Sequence, residues 1–212
     1  MEPQFWHDKW ENNQIAFHNE GAHPLLLKHW SSLGLSKGSR VFIPLCGKTR
    51  DIAWFLAQGY HVVGVELSEL AIQQLFSDLG IEPQIETIAK LHHYQAQNID
   101  IYEGDIFELS KTLLDKVDAI YDRAALVALP QTMRAEYAAH IQAISMQAAQ
   151  LIICFEYNQD ELNGPPFSVD EAEVTEYYAD NYSLNILEKV PVERGLKGQC
   201  HATEVVWSIL RK

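Results

Sequence analysis

Four groups of side chains have types and spacing that suit small-molecule chemistry. Glu66 closes the apolar run Val62 to Val65 and lies 19 residues after Gly47, itself in a short turn that follows the run Val41 to Ile43. Gly104-Asp105-Ile106 follows another apolar run beginning at Ile99. Asp122-Arg123 follows the run Val117 to Tyr121. The first thirty residues are dense in rings: Phe5, Trp6, Trp10, Phe17 and Trp30, with His7, His18, His23 and His29 among them. A carboxylate at Glu66 offers two oxygens that can accept from vicinal hydroxyls. A charged pair such as Asp122-Arg123 at the end of a central strand is harder to explain as packing than as function. Asp105 reads equally well as the acid of an ordinary strand-to-loop turn and as part of a rim that holds a flat base. An indole or phenyl ring over such a rim could face a cation, or simply cover a sheet.

The elements that must position these groups centre on residues 41–66, which read as strand, turn, helix, strand. Ile52, Ala53, Phe55 and Leu56 share one helical face, and Gly59 stops the helix. This is a parallel βαβ unit, whose ligand belongs outside the carboxyl ends of the strands beside the first turn. Two phosphate-binding motifs fail there. Gly47-Lys48-Thr49 matches the tail of a P-loop, but Phe42 occupies the place of its first glycine. The dinucleotide fingerprint needs three spaced glycines, and Leu45-Cys46-Gly47 supplies one. A turn with so little glycine suits an adenosine ligand without a pyrophosphate, such as S-adenosylmethionine. Nucleotide binding and plain α/β packing stay open on these residues alone.

Farther along, Ser68 caps a helix that Gly80 ends. Residues 81–98 are polar and ambiguous between strand and loop, Ile99–Phe107 reads as a third strand, and Val117–Tyr121 as a fourth. A helix is expected from Pro130 to Ala148, followed by a central fifth strand at Leu151–Tyr157. Gly164-Pro165-Pro166 marks an irregular loop at the crevice end of that strand, and Ser168 or Asp170 caps a helix to about Asp180. The runs Leu184–Val192 and Ala202–Leu210 read as an edge hairpin. The expected organisation is one domain over residues 1–212, with residues 1–35 as a helical cover.

Composition narrows the partners. The chain has 212 residues, 47% of them hydrophobic, and carries 29 acidic against 16 basic side chains, a net charge of −13. Such charge disfavours nucleic acid and anionic membrane surfaces. No apolar run reaches the ~18 residues that span a bilayer, and the start MEPQFWHDKW has neither a basic n-region nor an apolar h-region, so no signal peptide is expected. Three scattered cysteines, Cys46, Cys154 and Cys200, suit a reducing cytoplasm. The histidine spacings match no standard metal-ligand pattern, so no metal is expected.

The stretches FWHDKWENNQIAFH (5–18), VFIPLCGKTRDIAWFLAQGYHVVGVELSE (41–69) and DAIYDRAALVALP (118–130) together resemble the thiopurine S-methyltransferase family in its shorter bacterial form. GPPFSV (164–169) is a weaker fourth match. PLCGK combined with GVELSE is the specific part, because general methyltransferases carry more glycines in that turn. The resemblance implies an α/β, class I S-adenosylmethionine-dependent methyltransferase (Rossmann-like) fold. It has a mostly parallel seven-stranded sheet, a C-terminal antiparallel hairpin and helices on both faces. It also implies methyl transfer to the sulfur of thiopurines or other aromatic and heterocyclic thiols, leaving S-adenosylhomocysteine. Related bacterial proteins are associated with selenium and tellurium compounds, so the acceptor need not be a purine. Carried across residue by residue, cofactor contacts fall on Trp10, Leu45, Glu66 and Arg123, with the adenine at the main chain of Asp105-Ile106. The acceptor side falls on Phe17, Arg123 and Arg194, with Arg123 the catalytic candidate. Thr49-Arg50 departs from the family, which often has Ser and an apolar residue there.

An aryl thiol supplies its own thiolate near neutral pH, so none of the candidate bases His18, Asp122 and Asp105 is required. A monomer acting on a small thiol is expected. The competing readings are a nicotinamide-dependent oxidoreductase and a non-catalytic cofactor-binding detoxification protein.

Overall fold

A computed structural model describes residues 3–15 and 21–212. Its helices are α1 (Pro3–Glu11), α2 (Pro24–His29), α3 (Arg50–Ala57), α4 (Glu69–Leu79), α5 (Lys111–Leu114), α6 (Gln131–Ile144) and α7 (Glu171–Tyr178). Its strands are β1 (Arg40–Pro44), β2 (His61–Glu66), β3 (Gln84–Ile88), β4 (Leu91–Ala96), β5 (Ile99–Glu103), β6 (Ala119–Arg123), β7 (Ala149–Tyr157), β8 (Tyr182–Pro191) and β9 (Ala202–Arg211). All nine form one sheet in the order β3-β4-β5-β2-β1-β6-β7-β9-β8. The inner five, β5 to β7, are parallel, and β9 and β8 close one edge as an antiparallel pair.

Seven of these strands are the ones expected. The other two, β3 and β4, form a hairpin that adds to β5 antiparallel. It occupies the stretch that is ambiguous in sequence, and its turn passes through Ala89 at φ 56°. The outer strand β3 is exposed over most of its length, so it has no apolar face to announce it. Several expected boundaries also shift, and the fourth strand, observed as Ala119–Arg123, takes in Asp122 and Arg123. The third strand stops at Glu103 because Gly104 adopts φ 138°, and α6 ends at Ile144 with Met146 and Gln147 at positive φ.

Strand alternation divides the core. In β1, Val41 and Ile43 point to the face covered by α2, α3 and α4, where they join Leu26, Ile52, Phe55 and Ile72. Phe42 points to the other face, with Leu114, Tyr137, Ile141 and Val174 from α5, α6 and α7. The helices begin at side-chain caps: Thr49 for α3, Ser68 for α4 and Asp170 for α7 each accept from a first-turn N–H. Because β2 lies on one side of β1 and β6 on the other, the strand order reverses there. In open α/β sheets that switch point, here at the ends of β1 and β6 by Pro44 and Arg123, is where a ligand belongs.

Candidate active site

The turn after β1 is built under strain. Leu45 and Gly47 adopt φ 46° and 51°, the left-handed region that costs a β-carbon-bearing residue energy. At Gly47 a β-carbon would lie 3.1 Å from Cζ2 of Trp10, so glycine is required by conformation and by the ring above it. Trp10 comes from α1 and is 5% exposed. The aromatic segment thus lays an indole directly on the turn.

Glu66 ends β2 beneath that ring. Its Oε2 accepts from Gly47 N–H at 2.8 Å and its Oε1 from Ser68 N–H at 2.9 Å. Burial pushes its pKa up, while those two N–H groups, Leu67 N–H and the nearby His7 pull it back. Two main-chain donors fix the carboxyl plane and use one lone pair on each oxygen. One remains on each for an incoming hydroxyl. The main chain also ties the neighbouring strand ends together, since Gly104 N–H donates to Glu66 O at 2.9 Å.

Asp105 and Ile106 follow on the same rim. Asp105 caps the short turn 106–108, accepting from Phe107 N–H at 3.0 Å, so its side chain does the work of a turn acid. Ile106 is buried, and its carbonyl accepts from Leu109 N–H and from Nε2 of His140 at 2.9 Å.

Arg123 leaves the end of β6 toward the first turn of α3. Its Nε and Nη2 both reach Asp51 Oδ2 at 3.3 Å, and Nη2 donates to Thr49 Oγ1 at 2.9 Å. Burial opposes its charge, but Asp51 and Tyr121 outweigh that and hold its pKa above the usual arginine range. Asp51, at 1% exposure, also accepts from Tyr121 OH at 3.1 Å and from His23 N–H at 2.7 Å. Sequence reasoning passes over Asp51, because an acid in a helix's first turn is ordinarily read as a capping residue.

Asp122 is buried and faces away from this chemistry. It accepts from Tyr137 OH at 2.7 Å and from Leu126 N–H at 3.1 Å. Its carboxylate is thus satisfied by a tyrosine and a main-chain group. Burial raises its pKa to about 6, against the pull of those donors.

Arg194 lies in the exposed loop between β8 and β9 at φ 62°. That loop packs on the Gly164-Pro165-Pro166 loop: Lys197 Nζ donates to Pro165 O at 2.7 Å, and Leu196 and Cys200 meet Tyr157 and Leu162. Burial and the proximity of Lys9 depress the Lys197 pKa, so the α1 cover and these two loops converge at one end of the sheet. Phe17 and His18 lie outside the described residues. Two surface grooves of about 440 and 450 Å³ lie elsewhere, one between α4 and the β3–β4 hairpin and one beside Tyr157, Phe167 and Arg134.

A sheet with this switch point, a glycine-poor first turn and a buried carboxylate at the end of the second strand has the organisation of a class I S-adenosylmethionine-dependent methyltransferase. Solved structures agree on the fold. One is a Burkholderia thailandensis 1,6-didemethyltoxoflavin-N1-methyltransferase with bound S-adenosylhomocysteine. It is 18% identical at TM-score 0.66, over 98% of this chain and 87% of that one. A TehB-like methyltransferase from Corynebacterium glutamicum gives TM-score 0.56 at 14% identity, over 99% of this chain and 98% of that one. The thiopurine S-methyltransferase family model matches residues 1–208. Thiopurine S-methyltransferases of Xanthobacter autotrophicus and Teredinibacter turnerae are each 49% identical over the whole of this chain, covering 100% and 98% of their own lengths. The chain belongs to the thiopurine S-methyltransferase family: it is an enzyme that uses S-adenosylmethionine to methylate a sulfur-containing acceptor. The oxidoreductase and non-catalytic readings are set aside. Among the described residues no helix is long and apolar enough to cross a membrane.

Proposed function

We propose that the crevice above β1, β2, β5 and β6 takes S-adenosylmethionine with its ribose on Glu66. The adenine then lies along Asp105-Ile106, and the amino-acid tail lies under Trp10 beside Leu45. The acceptor is an aromatic or heterocyclic thiol bound as its thiolate at Arg123, with Phe17 and Arg194 as further candidates for its recognition. The observation that carries this reading is Glu66, whose oxygens are both oriented by main-chain donors beneath an indole. The donor set fits the group: a buried carboxylate with acceptor capacity on both oxygens, and no glycine-rich cradle for a pyrophosphate.

S-adenosylmethionine supplies a methyl group already carried on a good leaving group. The protein then has to align, exclude water and stabilise the attacking sulfur. Alignment within a closed site supplies several kcal/mol. Trp10 and α1 cover the turn and shut out solvent. The guanidinium of Arg123, its plane fixed by Asp51, favours the thiolate over the thiol. The three cysteines are unpaired and buried, which supports a reducing, cytoplasmic setting.

Turnover with methyl-labelled S-adenosylmethionine on aryl thiols, beside phenols and anilines of the same ring systems, tests the acceptor. Label should appear on sulfur alone. Equal labelling of oxygen or nitrogen acceptors contradicts the thiol assignment.

A further inference from the structure

Asp51 gathers several donors at the switch point. Its Oδ2 receives Tyr121 OH at 3.1 Å, Thr49 Oγ1 at 3.0 Å, and both Nε and Nη2 of Arg123 at 3.3 Å. Its Oδ1 receives the His23 N–H at 2.7 Å. These donors come from three separate places: the end of β6, the N-cap of α3, and the N-cap of α2. His23 is itself locked. Its Nδ1 accepts from Leu25 N–H at 3.3 Å, which leaves Nε2 to donate to Glu204 Oε1 at 3.1 Å. Burial and the adjacent Asp51 push the Tyr121 pKa well up, so its hydroxyl stays a donor.

A helix cap needs none of this. Thr49 already caps α3 by accepting from Asp51 N–H, and an acid placed only to meet a helix terminus would sit in solvent. Asp51 instead is 1% exposed and turned inward. An arginine has long, rotamer-rich side-chain freedom, and a thiolate held beside it is useful only if the guanidinium is already in place. We propose that Asp51 is a positioning residue for methyl transfer: it sets the guanidinium of Arg123 toward the acceptor and touches neither acceptor nor cofactor itself. The proposal rests on the acceptor-side reading of Arg123.

The test is a double-mutant cycle of Asp51→Asn and Arg123→Ala, read as kcat and KM on weakly acidic aryl thiols, with S-adenosylhomocysteine affinity measured alongside. In the parent background Asp51→Asn should lower kcat/KM by up to roughly 100-fold, the cost of misplacing a reacting group by about 1 Å. In the Arg123→Ala background the same substitution should cost almost nothing. S-adenosylhomocysteine affinity should fall no further in Asp51→Asn than in Arg123→Ala, since Asp51 itself touches no cofactor atom. If Asp51→Asn does not fold, Thr49→Ala takes its place. It removes the hydroxyl between Asp51 and Arg123, and should give a smaller loss that again vanishes without Arg123. A loss of equal size in both backgrounds, or none in the parent, overturns the proposal while leaving Arg123 its role. An Arg123→Ala enzyme as active as the parent overturns the acceptor-side reading of Arg123 and this proposal with it.

Discussion

Replacing Glu66 probes the cofactor site most sharply, and the structure decides which replacement to make. Alanine would leave the buried N–H groups of Gly47 and Ser68 without their acceptors, at about 1–3 kcal/mol each. Binding and folding would then be damaged together. Glutamine keeps the shape and one acceptor oxygen. It removes the charge and turns an amide nitrogen toward one of the two N–H groups. The binding loss should be that of a hydrogen bond to a charged group, roughly 1.5–3 kcal/mol, or about a 10- to 150-fold rise in the dissociation constant. Calorimetry with S-adenosylhomocysteine, beside thermal unfolding of the ligand-free protein, separates the two effects. Burial raises the Glu66 pKa, so the parent should lose affinity on acidification from a pH above the ordinary glutamate range. The glutamine variant should lack that dependence. A folded Glu66→Gln protein with parental affinity at every pH refutes the placement of the ribose.

Cofactor binding should slow amide exchange between Phe5 and Trp30 more than in α6 on the opposite face, because Trp10 lies on the turn proposed to meet the cofactor. Equal protection with and without S-adenosylhomocysteine makes the segment a packed layer only. Asp122 governs part of the pH dependence of stability. Its pKa is about 6 when folded against an ordinary 3.8, so the native state binds the proton more tightly. That contribution is fully present below pH 3.8 and lost as pH rises through about 6, amounting to about 3 kcal/mol at most. The stability difference between parent and Asp122→Asn, followed by urea unfolding, should fall by that order across the window. A difference that is flat or rises with pH contradicts the assignment.

The β1–α3–β2 unit is legible in sequence because its two periodicities are clean. Val41 to Ile43 and Val62 to Val65 are continuous apolar runs, and Ile52 and Phe55 repeat on a helical face, as the two-sided core requires. Glu66 is legible for the same reason, since its place at a strand end follows from the run before it. The β3–β4 hairpin is not. His92 and His93 alternate in it as strand residues must, but they bond to Glu103 on one side and to Asp100 and Glu86 on the other. Polar contacts of that kind leave no hydrophobic period. Asp51 is illegible because its partners are distant in the chain. His23 is 28 residues before it and Arg123 is 72 after it, and only the folded switch point brings them to one carboxylate.

On the proposed function, the protein aligns an already ionised thiol and supplies no base of its own. The pH–rate profile measured across aryl thiols of graded acidity tests this directly. The midpoint should move with the pKa of each thiol, and His18→Ala should leave that movement intact. A midpoint fixed near the histidine range for every thiol, and lost in His18→Ala, would show an enzyme-borne base and contradict the claim.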